Sequence, residues 1–218
     1  MLQFQSMKKG TILFDIDRTI LDTEKMIKDF DVLLLVLLGN PNYDDYKKAE
    51  SDYFKTLKNE RYFNVPDYAK FMSSRFKKGV SESIVNIFYS LEYRYIYSDC
   101  VFRESKKILN KLNKDWNLGV YSEGTNKFQS HKFNSLGLSK FFNKDLIFIV
   151  DAKDTKEVIS KIPKMSIIID DKETICEFLT KNGIRAIWIN RKDNRKSDKF
   201  ETIYSLLELP AKDSWIQL

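Results

Sequence analysis

Five short apolar runs punctuate the chain, at residues 12–14, 118–120, 146–150, 167–169 and 186–189, and each gives way to polar or acidic residues. Runs that are apolar throughout, rather than alternating, are the pattern of strands buried on both faces of a parallel sheet. Stretches with helical spacing at 127–136, 155–162 and 173–181 separate the last four runs, and Gly183 stands where the third of these helices should end. Strand and helix therefore alternate. This predicts an α/β fold, a doubly wound and mainly parallel Rossmann-like sheet of about five strands.

Residues 22–98 break the alternation. They hold no strand-like run and read as amphipathic helices near 24–38, 44–62, 67–77 and 81–97, with breaks at Gly39-Asn40-Pro41, Asn64-Val65-Pro66 and Lys78-Gly79. Ser81 is placed to cap the fourth of them through its hydroxyl. The expected organisation is a core of residues 1–21 and 99–218, interrupted after its first strand by a small all-helical cap of residues 22–98. The run VLLLVLL at 32–38 is far below the ~20 residues of a membrane-spanning helix and reads as a buried helix face. The basic stretch RKDNRKSDK at 191–199 reads as a mobile loop.

Composition narrows the class. A chain of 218 residues, 43% hydrophobic and 14% aromatic, supports one compact α/β domain with a modest insertion. Thirty-seven Lys and Arg against thirty-one Asp and Glu leave a net charge of +6, which suits anionic ligands such as phosphates. Nucleic acid is compatible with that charge but is not favoured. Cys100 and Cys176 lack the close paired spacing of a zinc site and read as free thiols in a reducing compartment. The N-terminal MLQFQSMKKG carries its lysines after its apolar residues, the wrong order for a secretory signal, so a cytoplasmic protein with no membrane association is expected.

The strongest chemical signal is Phe14-Asp15-Ile16-Asp17-Arg18-Thr19, where an apolar strand delivers two carboxylates to the carboxyl edge of the predicted sheet, the edge at which open α/β sheets bind ligands. The same form, DxDxT on the first strand, is the first motif of the haloacid dehalogenase superfamily, which this chain resembles. Further matches follow in order over nearly the whole chain: Ser122 ends the second strand, and Asp170-Asp171 closes the fourth. The third motif is a lysine near the start of the helix before that strand, and two candidates compete. Lys156 is favoured over Lys153 because the apolar residues after it begin the helix.

The resemblance implies a phosphohydrolase of the phosphatase branch. Asp15 would attack phosphorus and form an aspartyl-phosphate, and Asp17 would protonate the leaving oxygen and then deprotonate the hydrolytic water. Ser122 and the third-motif lysine would grip the phosphoryl group, with Thr19 and Glu123 beside them. Mg²⁺ would be held by Asp15, the carbonyl of Asp17 and Asp171, with Asp170 at the same site as a water-mediated or supporting partner. An aspartate at position 17 favours phosphate over carbon–halogen chemistry, because an alkoxide needs a leaving-group acid. Arg18 departs from the small residue that often follows the second aspartate, and either contacts substrate or lines the cap hinge.

Other candidates read as structural. His131 is the lone histidine and sits mid-helix without a metal-binding neighbour, so packing or surface is the favoured role. Phe88, Tyr89, Tyr93, Tyr95 and Tyr97 could stack a base but more simply fill a core, and Trp116 and Trp188 flank strands. The leading function is Mg²⁺-dependent hydrolysis of a small soluble phosphomonoester, a nucleotide or sugar phosphate. A nucleic-acid end phosphatase and a noncatalytic phospho-ligand binding protein are the alternatives, and a phosphomutase remains open, as does the oligomeric state.

Overall fold

A computed structural model describes residues 8–211; the segment 1–7, considered above for a secretion signal, lies outside the described residues. The apolar runs form strands β1 (Thr11–Phe14), β2 (Asn117–Glu123), β3 (Ile147–Val150), β4 (Ile167–Asp170) and β5 (Arg185–Ile189), and a further strand, β6 (Glu201–Ile203), follows them. They pair in parallel in the order β3-β2-β1-β4-β5-β6. Among the described residues the sheet thus has six strands rather than about five. Three residues, two of them polar, carry too little periodicity to announce β6; what makes it a strand is pairing with β5 and the burial of Thr202 and Ile203.

Strand alternation divides the sheet's side chains between two cores. Ile12, Phe14, Val120, Ile169 and Ile187 face one cluster, while Leu13, Tyr121, Ile168, Ala186 and Trp188 face the other. Gly119 is the tightest point of β2. A Cβ there would lie 2.3 Å from the carbonyl oxygen of Leu146 and 2.5 Å from Leu13 Cδ2, and the backbone atom cannot step aside. Gly119→Ala is therefore expected to destabilise the fold by about 3 kcal/mol through overpacking, read as a lowered urea midpoint with an unchanged slope.

Between β1 and β2 the chain forms α1 (Thr23–Leu37), α2 (Tyr43–Thr56), α3 (Val65–Arg75), α4 (Ser81–Tyr89), the short α5 (Tyr95–Ser98) and α6 (Ser105–Leu112). Two expected helices are shorter than their periodicity suggested. The second ends at Thr56, and Asn59 then caps a separate 3₁₀ turn, Glu60–Tyr62; the fourth breaks at Ser90, whose hydroxyl accepts from the Glu92 amide. Both breaks use a polar side chain as a local backbone partner, which competes with helix continuation. Ser81 does not cap α4: it is the first helical residue, behind Val80, and no side chain caps that end.

The 32–38 run is not a buried face throughout. Leu34 and Leu38 are buried, whereas Val32 and Val36 are more than 60% exposed, because a helix turns consecutive apolar residues through all directions. No helix among the described residues is long and apolar enough to cross a membrane.

After β2 come α7 (Asn126–Ser135), α8 (Lys156–Ser160) before β4, and α9 (Glu173–Lys181) before β5, the last closed by Gly183 at φ 75°. The basic 191–199 segment is irregular but tethered, contrary to a freely mobile loop. Arg191 pairs with Glu104 and lies 3.7 Å over the Phe102 ring, Arg195 pairs with Glu173, Lys199 pairs with Glu177, and Ser197 is buried. Cys100 and Cys176 are buried free thiols.

Candidate active site

β1 lies where the strand order reverses, with β2 on one side and β4 on the other, so its carboxyl end opens into the crevice that such sheets use for ligands. Phe14 is in register with Val120 and Ile169, and the Asp15 amide continues the ladder by donating to the Ile169 carbonyl at 2.9 Å. Alternation sends Asp15 to the side of Leu13, and Asp170, which follows Ile168 and Ile169, to the same side of the next strand. The two carboxylates meet because their strands are neighbours.

Beyond Asp15 the chain turns back sharply, with the Ile16 carbonyl accepting from the amides of Ile20 and Leu21. Arg18 occupies the left-handed region at φ 56°, a conformation that costs a residue with a Cβ about 1–2 kcal/mol. Glycine or asparagine tolerates it better, which accounts for the small residue common there in the resembling family. Here the Arg18 guanidinium pairs with Glu24 on the first turn of α1, and Arg18 lines the cavity above Asp15.

Asp17 faces the helices. It accepts from Thr23 Oγ1 at 2.9 Å, from Gln129 Nε2 at 3.4 Å, and on both oxygens from Lys132 Nζ at 2.8 Å. Burial alone would raise its pKa, but Lys132 and the two hydrogen bonds outweigh it and hold the carboxyl below the usual range. Gln129 and Lys132 share one face of α7, and their part in the site was not anticipated. Their helical spacing was visible; that this face looks at a strand end more than a hundred residues earlier was not.

Of the two competing lysines, the structure brings Lys153 and not Lys156 to Asp15. Lys153 Nζ lies 2.6 Å from both Asp15 and Asp170, in a position 1% exposed, whereas Lys156 is exposed as the first residue of α8. The helix does start where the sequence indicated, with Thr155 as its cap. The preceding loop, however, is what reaches the sheet edge. Three contacts hold it: the Lys153 amide donates to Glu123 at 3.0 Å, Tyr121 Oη donates to the Lys153 carbonyl at 2.6 Å, and Nζ sits 5.3 Å over the Tyr121 ring.

Glu123, expected at the phosphate, instead acts as a hub. Its carboxylate accepts from the Lys153 amide, pairs with Lys172 at 3.1 Å and lies 3.5 Å from Arg61, a residue of the helical insertion that sequence reasoning passed over. An anion so engaged positions cations around the cavity rather than gripping another anion. Ser122 and Thr19 are buried, and the hydroxyl of each has no hydrogen-bond partner among the described residues. Buried hydroxyls without partners are costly and rare. His131 lies between the rings of Tyr89 and Tyr97, away from the acidic cluster. Trp188 has a role after all: its indole N–H donates to the Asp171 carbonyl at 2.9 Å and steadies the loop that carries the acidic pair.

Asp15, Asp170 and Asp171 can each present an oxygen within 4.8 Å of the others. Hard carboxylate oxygens at this spacing fit a divalent cation such as Mg²⁺. The electrostatics agree. Four carboxylates, Asp15, Asp17, Asp170 and Asp171, are met by two buried ammonium groups, Lys132 and Lys153, leaving two negative charges for a cation to offset. Without one, burial and the neighbouring aspartates push Asp15 up to about 8 despite Lys153, and burial with Asp170 pushes Asp171 up to about 6. Asp170 spends one oxygen on Lys153 and the other on the Lys172 amide, which suits a supporting role, while the Asp171 side chain makes no hydrogen bond among the described residues.

These shifts predict a pH effect with a definite sign. A carboxyl whose folded pKa is raised binds its proton more tightly folded than unfolded, so the stability it adds is present at low pH and lost as pH rises through the folded value. In EDTA the melting temperature should fall between pH 7 and 8.5 as Asp15 titrates; Asp17, held low, and His131, lowered from 6.5, are already titrated there. Mg²⁺ should reverse the fall, more at pH 8.5 than at pH 7, because it competes with the proton. A flat profile in differential scanning calorimetry would contradict the assigned charge state.

A parallel sheet that gathers acidic residues and a buried lysine at its carboxyl edge defines a doubly wound α/β protein with a cation-ready acidic centre. Residues 12–189 match the sequence pattern of the haloacid dehalogenase-like hydrolases, and the chain belongs to that family. No curated protein matches it significantly. Among solved structures it is similar in fold to a putative haloacid dehalogenase-like hydrolase from Burkholderia xenovorans, with a TM-score of 0.75 at 16% identity over 97% of this chain and 100% of the other. It is similar also to the putative hydrolase YfnB from Bacillus subtilis bound to magnesium (TM-score 0.62, 19% identity, 94% and 98% covered). A 2-haloacid dehalogenase from Pseudomonas syringae is equally alike in fold (TM-score 0.62, 17% identity, 94% and 97% covered).

Proposed function

We propose that this protein is a Mg²⁺-dependent phosphomonoester hydrolase that works through an aspartyl-phosphate on Asp15, with residues 22–98 serving as a cap over the site. The observation that carries this reading is the placement of two carboxylates, Asp15 and Asp17, on one cavity wall with Lys153 beside the first of them. A halide leaves unaided, whereas an alkoxide needs a proton, and Asp17 is in place to supply one. The partly paired basic loop at 191–199 offers less free charge to nucleic acid than its sequence suggests, so a small substrate is favoured.

Asp15 provides the nucleophilic oxygen. Lys153 orients it and supplies positive charge beside the incoming phosphoryl group, and the unpartnered Ser122 hydroxyl is available to donate to a phosphoryl oxygen. Mg²⁺, held by Asp15, Asp171 and the Asp17 carbonyl, would neutralise charge on the phosphoryl oxygens and favour the ionised form of Asp15. The Lys132 pair keeps Asp17 ionised at rest, which suits the base that activates water on the aspartyl-phosphate. To act first as an acid Asp17 must take up a proton, and a phosphate dianion arriving beside a carboxylate raises its pKa in that direction.

The test is hydrolysis of p-nitrophenyl phosphate by purified protein with Mg²⁺, with EDTA and as Asp15→Asn. Turnover lost in both controls is expected. Turnover that survives EDTA or the substitution would overturn the mechanism.

A further inference from the structure

The cavity above Asp15 has a volume of about 480 Å³, far more than a phosphoryl group requires and within the range of small-molecule sites. Its depth is set by α1. Thr23, at the start of that helix, touches Asp17, and Asp31 lies two turns further on the same cavity wall, roughly 12 Å along the axis at 1.5 Å per residue. Between these ends the wall includes Phe30, Phe63, Phe88 and Phe128, which brace one another: Phe30 stacks on Phe88 at 4.4 Å, and Phe128 meets Phe63 at 5.3 Å. This middle section presents carbon and π-faces.

The far end is polar and acidic. Asp31 and Glu50 are bridged by Lys47, Tyr46 donates to Asp31, and Tyr68 donates to Glu50 at 2.8 Å. Two carboxylates share one ammonium, so one negative charge remains in a largely buried place, and acceptor positions stay open on both. An acceptor with no partner lies nearer the phosphoryl end: Gln129 is 6% exposed, its amide N–H groups are used by Asp17 and Glu123, and its Oε1 has no partner among the described residues.

We propose that the substrate is a phosphomonoester with a flat aromatic body whose far end carries N–H donors, received by Asp31 and Glu50. This rests on the phosphohydrolase reading for the phosphoryl end alone. A polyhydroxylated sugar phosphate would strand its hydroxyls against the phenylalanines, and a second phosphate or a carboxylate would meet uncompensated negative charge.

The experiment compares a matched series, benzyl phosphates with para aminomethyl, hydrogen or carboxylate, together with glucose 6-phosphate, on the full chain with Mg²⁺. The kcat/KM values should fall in the order amine, hydrogen, carboxylate, with amine and carboxylate separated by about tenfold or more, as a charged hydrogen bond allows. Glu50→Gln should shrink the amine-to-carboxylate ratio, a quantity that does not depend on how much of the variant is folded. Calorimetric binding of the corresponding benzyl alcohols reads the same preference without turnover. Equal or reversed preference in both assays, or faster turnover of glucose 6-phosphate, overturns the proposal. The amine preference in binding without any phosphatase activity would uphold this subsite and sink the phosphohydrolase reading instead.

Discussion

Asp15→Asn is expected to reduce phosphomonoester turnover on the order of 10⁴-fold or more, the scale seen when a covalent nucleophile is removed. The fold should survive. Asparagine has the shape of a protonated aspartate, and burial already favours the protonated form of Asp15 when no cation is bound. Lys153 retains Asp170 as a partner at 2.6 Å, so the substitution does not leave a buried ammonium alone. The pH dependence of the melting temperature above pH 7 should flatten in EDTA, because the group responsible for it is gone. Loss of turnover with an unchanged melting profile at pH 7 would support the assignment; loss of turnover together with unfolding would not, and mass spectrometric trapping of a phosphorylated wild-type peptide containing Asp15 would then decide.

Lys153→Met should be damaging in two ways, and Lys156→Met in neither. Methionine keeps the length of the side chain and removes the charge that Asp15 and Asp170 share. Breaking a buried ion pair by deleting one partner typically costs about 3–5 kcal/mol, and loss of a preorganised cation beside the transferring group costs on the order of 10²–10³-fold in rate. Lys156 is exposed at the first position of α8, so its replacement should stay within about 0.5 kcal/mol and leave the rate unaltered. Urea titration and initial rates on the two variants test this directly. A loss confined to Lys156→Met, with Lys153→Met unaffected, would show that the helix start, and not the loop, carries the third motif.

Much of this architecture was legible because it is local. Each apolar run became a strand, and the strand ends carry the site residues: Asp15 just after β1, Ser122 near the end of β2, and Asp170-Asp171 at the end of β4. A carboxylate placed by strand alternation needs no knowledge of distant residues, only of which strand ends where. The helical breaks at Leu57 and Ser90 were harder, because the hydrophobic period runs straight through them and only the capping of Asn59 and Ser90 marks the stop. Ser81 failed as a cap for the same reason in reverse: the residue type was suitable, but the chain entered the helix one residue earlier, at Val80.

Sequence alone determined the alternating α/β layers, the helical insertion after the first strand and the aspartates of the acidic centre, since each depends on spacing within a few residues. Tertiary structure decided the rest. Lys153 rather than Lys156 reaches Asp15 because Glu123 and Tyr121 on β2 hold the intervening loop. Lys132 becomes the partner of Asp17 because α7, packed against β3, reaches the turn after β1, and Asp31 and Glu50 meet at the far end of the cavity because Tyr46 and Lys47 of α2 reach across to α1. The physical reason is the same throughout: hydrophobic periodicity states which face of an element is buried, but the charged groups that meet across a site are chosen by loop paths and helix placement, which leave no repeating mark in the chain.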